Sequence, residues 1–162
     1  MDDEHTIEND GRRWRATDPG IPDRFRAELV HELMAARRAV AAAKRKEDAD
    51  DERDARARVQ DAKVALGERG APWWETPSPD EQRTRIEATT LALARHRAPD
   101  GTICPSDVAR AIGGPEWRAL MDPVRDVVRT LVDEDAVTVE QRRQVVPKGR
   151  TWKGPIRIRA RR

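Results

Sequence analysis

Residues 136–162 read AVTVEQRRQVVPKGRTWKGPIRIRARR. The hydrophobic period in this stretch is two. Val137 and Val139 alternate with Thr138 and Glu140, and Ile156, Ile158 and Ala160 alternate with Arg157, Arg159 and Arg161. That period marks half-buried strands, whose side chains point alternately to the two faces. Two strands are therefore expected, joined by a flexible basic loop over Pro147–Gly154 that carries one exposed aromatic, Trp152. The stretch holds nine Lys/Arg against one acid, Glu140.

Upstream, the period is 3.6. Val124, Val127, Val128, Leu131 and Val132 make one stripe on a helix expected from Asp122-Pro123 to about Glu134. Trp117, Leu120 and Met121 read as a brief helical turn before it. Cys104-Pro105-Ser106-Asp107 opens a short helix with Val108, Ala111 and Ile112 on its apolar side, ended by Gly113-Gly114-Pro115. Thr102-Ile103 reads as a short strand after the Asp100-Gly101 turn. Ser78-Pro79-Asp80-Glu81 is a helix start with an N-cap, a proline at the first helical position and a capping-box glutamate. That helix runs to about Arg97, with Ile86, Thr90, Leu93 and Ala94 facing inward. Three helices followed by a basic two-stranded ribbon predict a winged helix over 80–162.

The N-terminal half reads differently. Residues 1–22 are expected to form a polar tail and arm, with Pro22 at the start of a helix. Residues 23–70 read as an antiparallel helical hairpin. Its first helix carries the stripe Phe25, Leu29, Leu33, Ala36 and Val40. The almost wholly charged segment 44–54 is either a turn or a solvated helical continuation. The second helix, from about Glu52 to Leu66, carries Val59, Ala62 and Leu66. Glu52–Arg56 and Asp54–Arg58 have the spacing of stabilising i,i+4 pairs. The Ala-rich stripes are narrow, so the hairpin is expected to pack on the C-terminal half, on a partner or on a second copy. Residues 71–79 form a proline-stiffened linker in which Trp73 and Trp74 either pin the two halves or offer a stacking platform. The expected class is mainly α with a minor β part, α+β.

Composition bounds the partners. The chain has 162 residues, 38% of them charged, and a net charge of only +2. The distribution is uneven: residues 1–79 carry 15 basic and 18 acidic groups, residues 80–162 carry 17 and 12. The ribbon therefore carries a positive field that the whole-chain value hides. Cys104 is the single cysteine, and no apolar run approaches the ~20 residues of a membrane span. The acidic start lacks a signal-peptide pattern, so a cytoplasmic protein is expected. Arginine outnumbers lysine 27 to 5, a composition typical of a GC-rich bacterium.

Several stretches resemble an uncharacterised bacterial family of small winged-helix-like domains of unknown function. The resemblance lies in Thr102-Ile103-Cys104-Pro105-Ser106-Asp107-Val108-Ala109-Arg110, in Trp117-Arg118-Ala119-Leu120-Met121 and in Lys153-Gly154-Pro155-Ile156-Arg157-Ile158. Arg13–Pro22, Leu33–Val40 and Ala62–Gly70 look like a segment fused to that domain in actinobacterial hypothetical proteins. The resemblance implies a fold and no activity.

The chemistry points to binding rather than catalysis. His5, His31 and His96 lie in the tail and on two separate helices, where surface positions are expected, and no spacing recommends a catalytic triad. Cys104 is expected to act as a small N-cap. Residues 47–52 are acidic but lack the ligand order of a calcium loop. No glycine-rich phosphate loop is present, and no metal, cofactor or enzymatic activity is expected. The candidate nucleic-acid contacts are Arg118, Arg125, Arg129, Arg142, Arg143, Lys148, Arg150, Lys153, Arg157 and Arg159. About five phosphate contacts would give a log K against log[salt] slope of roughly −4 to −5. Asp126 and Asp133 point outward from the candidate recognition helix, which argues against base reading in a groove. The expected function is nucleic-acid binding, DNA or RNA, mainly through the backbone, with transcriptional regulation as one use of it. The alternative is a protein-interaction adaptor. Exposed Asp126 and Asp133 beside the ribbon favour the adaptor. One patch joining Arg118, Arg125, Arg129 and the ribbon favours nucleic acid.

Overall fold

The computed structural model describes residues 3–161; Met1, Asp2 and Arg162 lie outside the described residues, and with them part of the expected tail and the last cation of the ribbon. Five helices and two small antiparallel sheets make a mostly helical α+β chain.

Helix α1 (Asp23–Lys46) and helix α2 (Ala49–Ala65) form the expected hairpin. Pro22 stands just outside α1 with extended ψ rather than within its first turn. The charged segment resolves into a two-residue break. Glu47 takes a left-handed conformation (φ 56°), and the Asp48 carboxylate accepts from Asp51 N at 3.0 Å. That cap starts α2 about one turn before the expected Glu52, because an N-cap oxygen satisfies a backbone donor that the helix cannot. The Glu52–Arg56 pair forms at 2.9 Å. The Asp54–Arg58 pair gives way to another partner. Arg58 crosses to Glu32 on α1, donating at 2.8 and 3.3 Å to a carboxylate that is almost wholly buried. A buried charge needs its counter-ion far more than an exposed one does.

Helix α3 (Pro79–Arg97) starts as expected, with Ser78 Oγ accepting from Glu81 N at 3.2 Å. Ile86, Thr90, Leu93 and Ala94 are all fully buried. Helix α4 (Pro105–Ile112) is held at its start by Asp107, whose carboxylate accepts from Cys104 N at 2.8 Å. Gly113 ends it where a side chain has no room: a Cβ there would lie 2.6 Å from both Ala109 O and Trp117 Cα. A 3-10 segment (Gly114–Leu120) leads directly into helix α5 (Met121–Asp133). Helix α5 thus begins at Met121, not at an Asp122-Pro123 cap. Pro123 occupies the first turn, where its missing N–H forfeits no helical bond.

The narrow stripe of the hairpin is covered by the C-terminal half. Phe25, Leu29, Leu33, Ala62 and Leu66 share one buried cluster with Ile86, Leu93, Val108, Leu131 and Ile158. Ion pairs stitch the same seam. Arg97 donates to Glu28 at 2.9 Å and to Asp107 at 3.1 Å, and Arg24 reaches Asp107 at 3.3 Å. Arg85 meets Asp18 at 2.9 Å, and Arg95 meets Asp61 at 2.6 Å. Burial pushes the Asp61 carboxyl above the usual range even though Arg95 pulls it down. The seam is therefore a geometric constraint more than a source of net stability.

From Asp3 onward the expected polar tail and arm is a short 3-10 turn followed by a β-hairpin. Strands β1 (Thr6–Asn9) and β2 (Arg12–Arg15) pair antiparallel across Asp10-Gly11, both at positive φ. An Asp-Gly pair is a favoured two-residue hairpin turn. The arm folds back onto the linker. His5 stacks on Trp74 with ring centres 4.1 Å apart, and Trp73 Nε1 donates to Ala16 O at 3.0 Å. The tryptophans thus pin the arm, and His5 is packed rather than a surface residue of a tail. His31 and His96 also meet, edge to face at 4.8 Å, although they come from separate helices.

The second sheet has order β4-β3-β5. Its strands are β3 (Val137–Gln141), β4 (Gln144–Val145) and β5 (Arg157–Ala160), all antiparallel. Val137, Val139, Ile156 and Ile158 face the core. Ile103 bridges Ile158 from the other side, so β5 lies between β3 and the residue-103 segment. No helix among the described residues is long and apolar enough to cross a membrane.

Candidate nucleic-acid interface

The ribbon is built differently from a pair of strands around one long loop. Strand β3 turns at Arg142-Arg143 into β4, with Glu140 opposite Val145 and Gln141 opposite Gln144. Both turn residues have positive φ, 50° and 66°, the combination of a type I′ hairpin. Such turns favour Asn and Gly, because a side chain in the left-handed region meets its own backbone. Two arginines stand there instead, and both are exposed.

The chain then returns to β5 through residues 146–156. Trp152, expected to be exposed, is buried at 8%. Helix α5 holds it. Arg129 lies over the indole, 3.7 Å from the ring centre, and donates to Arg150 O at 2.8 Å. Arg125 donates to Trp152 O at 3.3 Å. On the other side Gln141 Nε2 donates to Lys153 O at 2.8 Å. The basic loop is therefore fastened at its middle, and Arg125 and Arg129 are the fasteners. An aromatic face with apolar bulk favours this burial, and the guanidinium adds a cation–π attraction.

The outward face of β5 is partly neutralised. Arg159 Nε meets Glu140 across the β3–β5 pair at 2.6 Å. Arg161 and Lys148 both bind Asp135, at 2.8 and 2.6 Å, and Lys148 chiefly holds that carboxyl below the usual range. Arg157 has no carboxylate: it donates to Thr102 Oγ1 at 2.8 Å, to Thr102 O at 3.0 Å and to the Cys104 thiol. None of these ribbon cations pairs with a carboxylate of the N-terminal half among the described residues. Glu140 and Asp135 do the neutralising, and both come from the ribbon and its entry turn.

Arg118 belongs to a different group. It lies 4.5 Å from the Trp117 ring centre, with Arg110 at 4.6 Å. Arg110 was not among the candidates read from the sequence. Asp126 and Asp133 are exposed on α5, and Lys148 Nζ lies 3.4 Å from Asp133 O, which puts that end of α5 beside the loop.

Of the ten candidates, Lys148, Arg157 and Arg159 are engaged by neighbouring groups, and Arg125 and Arg129 hold the loop. Among the described residues the side chains of Arg142, Arg143, Arg150 and Lys153 have no polar partner and are exposed. The turn was the feature missed in the sequence. Arg-Arg is not a turn signal, and only the resumed alternation at Gln144-Val145 hinted at it. No group of His, Cys, Asp and Glu side chains among the described residues could hold a metal ion.

No curated protein matches the chain. Residues 83–161, from the first turns of α3 to just beyond β5, match the family described as Protein of unknown function (DUF3253), and this part of the chain is similar to that uncharacterised family.

Proposed function

We propose that residues 79–162 form a winged-helix module that binds a nucleic-acid backbone through its wing. The order α3, residue-103 bridge, α4, α5, β3, β5, with β5 between the other two extended segments, supports the fold reading. The observation that carries the functional reading is the Arg142-Arg143 turn. Two exposed arginines occupy backbone conformations that cost each of them of order 1 kcal/mol. The packing of the molecule gains nothing from their side chains, so their charge is the reason for them. Lys153, whose carbonyl accepts from Gln141 beside the turn, adds an exposed cation near it, and Arg150 adds another on the loop that Arg129 fastens. Helix α5 presents Asp126 and Asp133 to solvent and spends Arg125 and Arg129 on the loop, so the binding is to phosphates and not to base edges.

The test is a salt titration with random-sequence duplex DNA and RNA, using the wild type and Arg142→Asn/Arg143→Gly. That double change installs a preferred type I′ turn, so the hairpin is retained while two charges go. The slope of log K against log[salt] should be about −3 to −4 in the wild type and shallower by about 2 in the variant. No binding at ~50 mM salt, or an unchanged slope, removes the proposal.

A second reading has its own observation. Asp126 and Asp133 are exposed on α5, and Asp133 lies beside the loop, an arrangement that favours a protein-interaction adaptor. An adaptor would show no nucleic-acid binding and would lose its protein partner when Asp126 and Asp133 are changed to Asn.

A further inference from the structure

A second cationic site lies in the other half of the chain, outside residues 83–161. The β1–β2 hairpin, α1 and the segment that ends α2 line an open cleft of about 550 Å³ whose walls are mostly polar. Lys63 lines it. This lysine is 6% exposed, yet it makes no hydrogen bond or ion pair among the described residues. Its ammonium lies over the face of Trp14, 4.9 Å from the ring centre. Its aliphatic stem is packed away from solvent while the ammonium at its end keeps access to water and has no counter-charge bound to it, so the charge is open to a ligand. Glu68 lines the same cavity, and its Oε2 is buried without a hydrogen-bond partner. It is close enough to raise the affinity of Lys63 for its proton, but the two do not form an ion pair. Arg12, Arg15 and Arg37 add positive charge to the walls, against Asp10 and Glu68, so cations outnumber acids there.

We infer that this cavity binds a small organic anion that also carries a hydroxyl group. The anionic headgroup, phosphate or carboxylate, sits between Lys63 and Arg37, and the hydroxyl donates to Glu68 Oε2. A bound molecule of this kind gives Lys63 a counter-charge and gives the buried Glu68 Oε2 the donor it lacks. It also bridges two opposite charges that do not reach each other. A bare anion would satisfy Lys63 and be repelled by Glu68. A cavity of this size suits a small molecule rather than a single ion. Trp14, 41% exposed, covers the apolar part of the skeleton.

Calorimetric titration of the full chain tests this with glycerol 3-phosphate and malate, and with methyl phosphate and succinate as analogues lacking the hydroxyl. The expected result is saturable one-to-one binding of glycerol 3-phosphate or malate. The better of the two identifies the headgroup, and its hydroxyl-free analogue should bind at least tenfold more weakly. Lys63→Met should weaken binding at least tenfold and Arg37→Ala several-fold. The Arg142→Asn/Arg143→Gly variant should bind unchanged, which separates this site from the nucleic-acid proposal. Lys63→Met keeps the apolar stem and removes an unpaired charge, and Arg37 is exposed, so both variants should fold, as thermal unfolding will check. Absence of saturable binding to either compound overturns the inference, and so does equal affinity in folded Lys63→Met.

Discussion

The guanidinium of Arg129 lies 3.7 Å above the ring of Trp152 and donates to the carbonyl of Arg150 on the same loop. One side chain of α5 thus holds the ribbon's longest connection by its middle. Trp152→Ala should destabilise the chain by about 3–5 kcal/mol, the usual cost of emptying an aromatic site. Arg129→Ala should cost about 1–2 kcal/mol, a cation–π contact plus one hydrogen bond. Urea unfolding of both variants checks the ranking. A neutral Arg129→Ala would mean that the indole is held by its apolar neighbours alone.

Arg159 is paired with Glu140, so its charge is already matched, whereas Arg157 is oriented by neutral acceptors on Thr102 and Cys104 and keeps its charge. Arg159→Ala should change the salt slope of nucleic-acid binding by less than about 0.5, against about 2 for the turn variant. Glu140→Gln should steepen the slope, because it releases Arg159. A larger loss from Arg159→Ala than from the turn would place the contact on the strand face instead of the tip.

The Glu32 carboxylate is 2% exposed and has Arg58 as its partner, through two hydrogen bonds. Arg58→Ala should destabilise by about 2–4 kcal/mol, because it leaves a buried charge without a counter-ion. The double variant Arg58→Met/Glu32→Leu should recover most of that loss. Chemical denaturation of the single and double variants measures both. A neutral single variant would show that Glu32 finds other compensation.

Burial is the main reason Lys63 holds its proton less tightly than an ordinary lysine, whose value is 10.5; Arg69 and Arg37 act in the same sense and Glu68 opposes them. The folded value lies below the unfolded one, so the folded state binds fewer protons between the two. Stability therefore rises as pH climbs through the lowered folded value toward 10.5. Lys63→Met should be more stable than wild type at pH 7 and should lack this rise. Thermal unfolding from about pH 7 to about pH 10 shows it. Parallel profiles in the two proteins would mean that Lys63 is solvated in the free chain.

Legibility in the sequence followed the range of the interactions. Ser78, Pro79 and Glu81 announced α3 because a helix start is settled by neighbouring backbone donors and one hydroxyl. The Asp48 cap was readable in the same way but was hidden in a run of charges. Asp10-Gly11 between Ile7 and Trp14 carried a plain hairpin signal that the polar composition of the tail obscured. Arg142-Arg143 carried no such signal, since its turn breaks the residue preference. Trp152 looked exposed among lysines, arginines and glycines; only α5 on its other side buries it. The family resemblance of the C-terminal part was legible from Thr102–Arg110, Trp117–Met121 and Lys153–Ile158, and residues 83–161 match an uncharacterised family. Of the candidate site, the concentration of charge was legible and its pairing was not.

The amino-acid order by itself determined the helices, the cap of α3 and the alternating faces of the ribbon, because those depend on hydrogen bonds and burial periods within a few residues. The tertiary structure decided which cations remain available. Arg159 is quenched by Glu140, Arg129 is spent on Trp152, and Lys63 is left unpaired beside Glu68. A charge is neutralised by whatever group lies within a few ångströms in space, and separation along the chain does not reveal that distance.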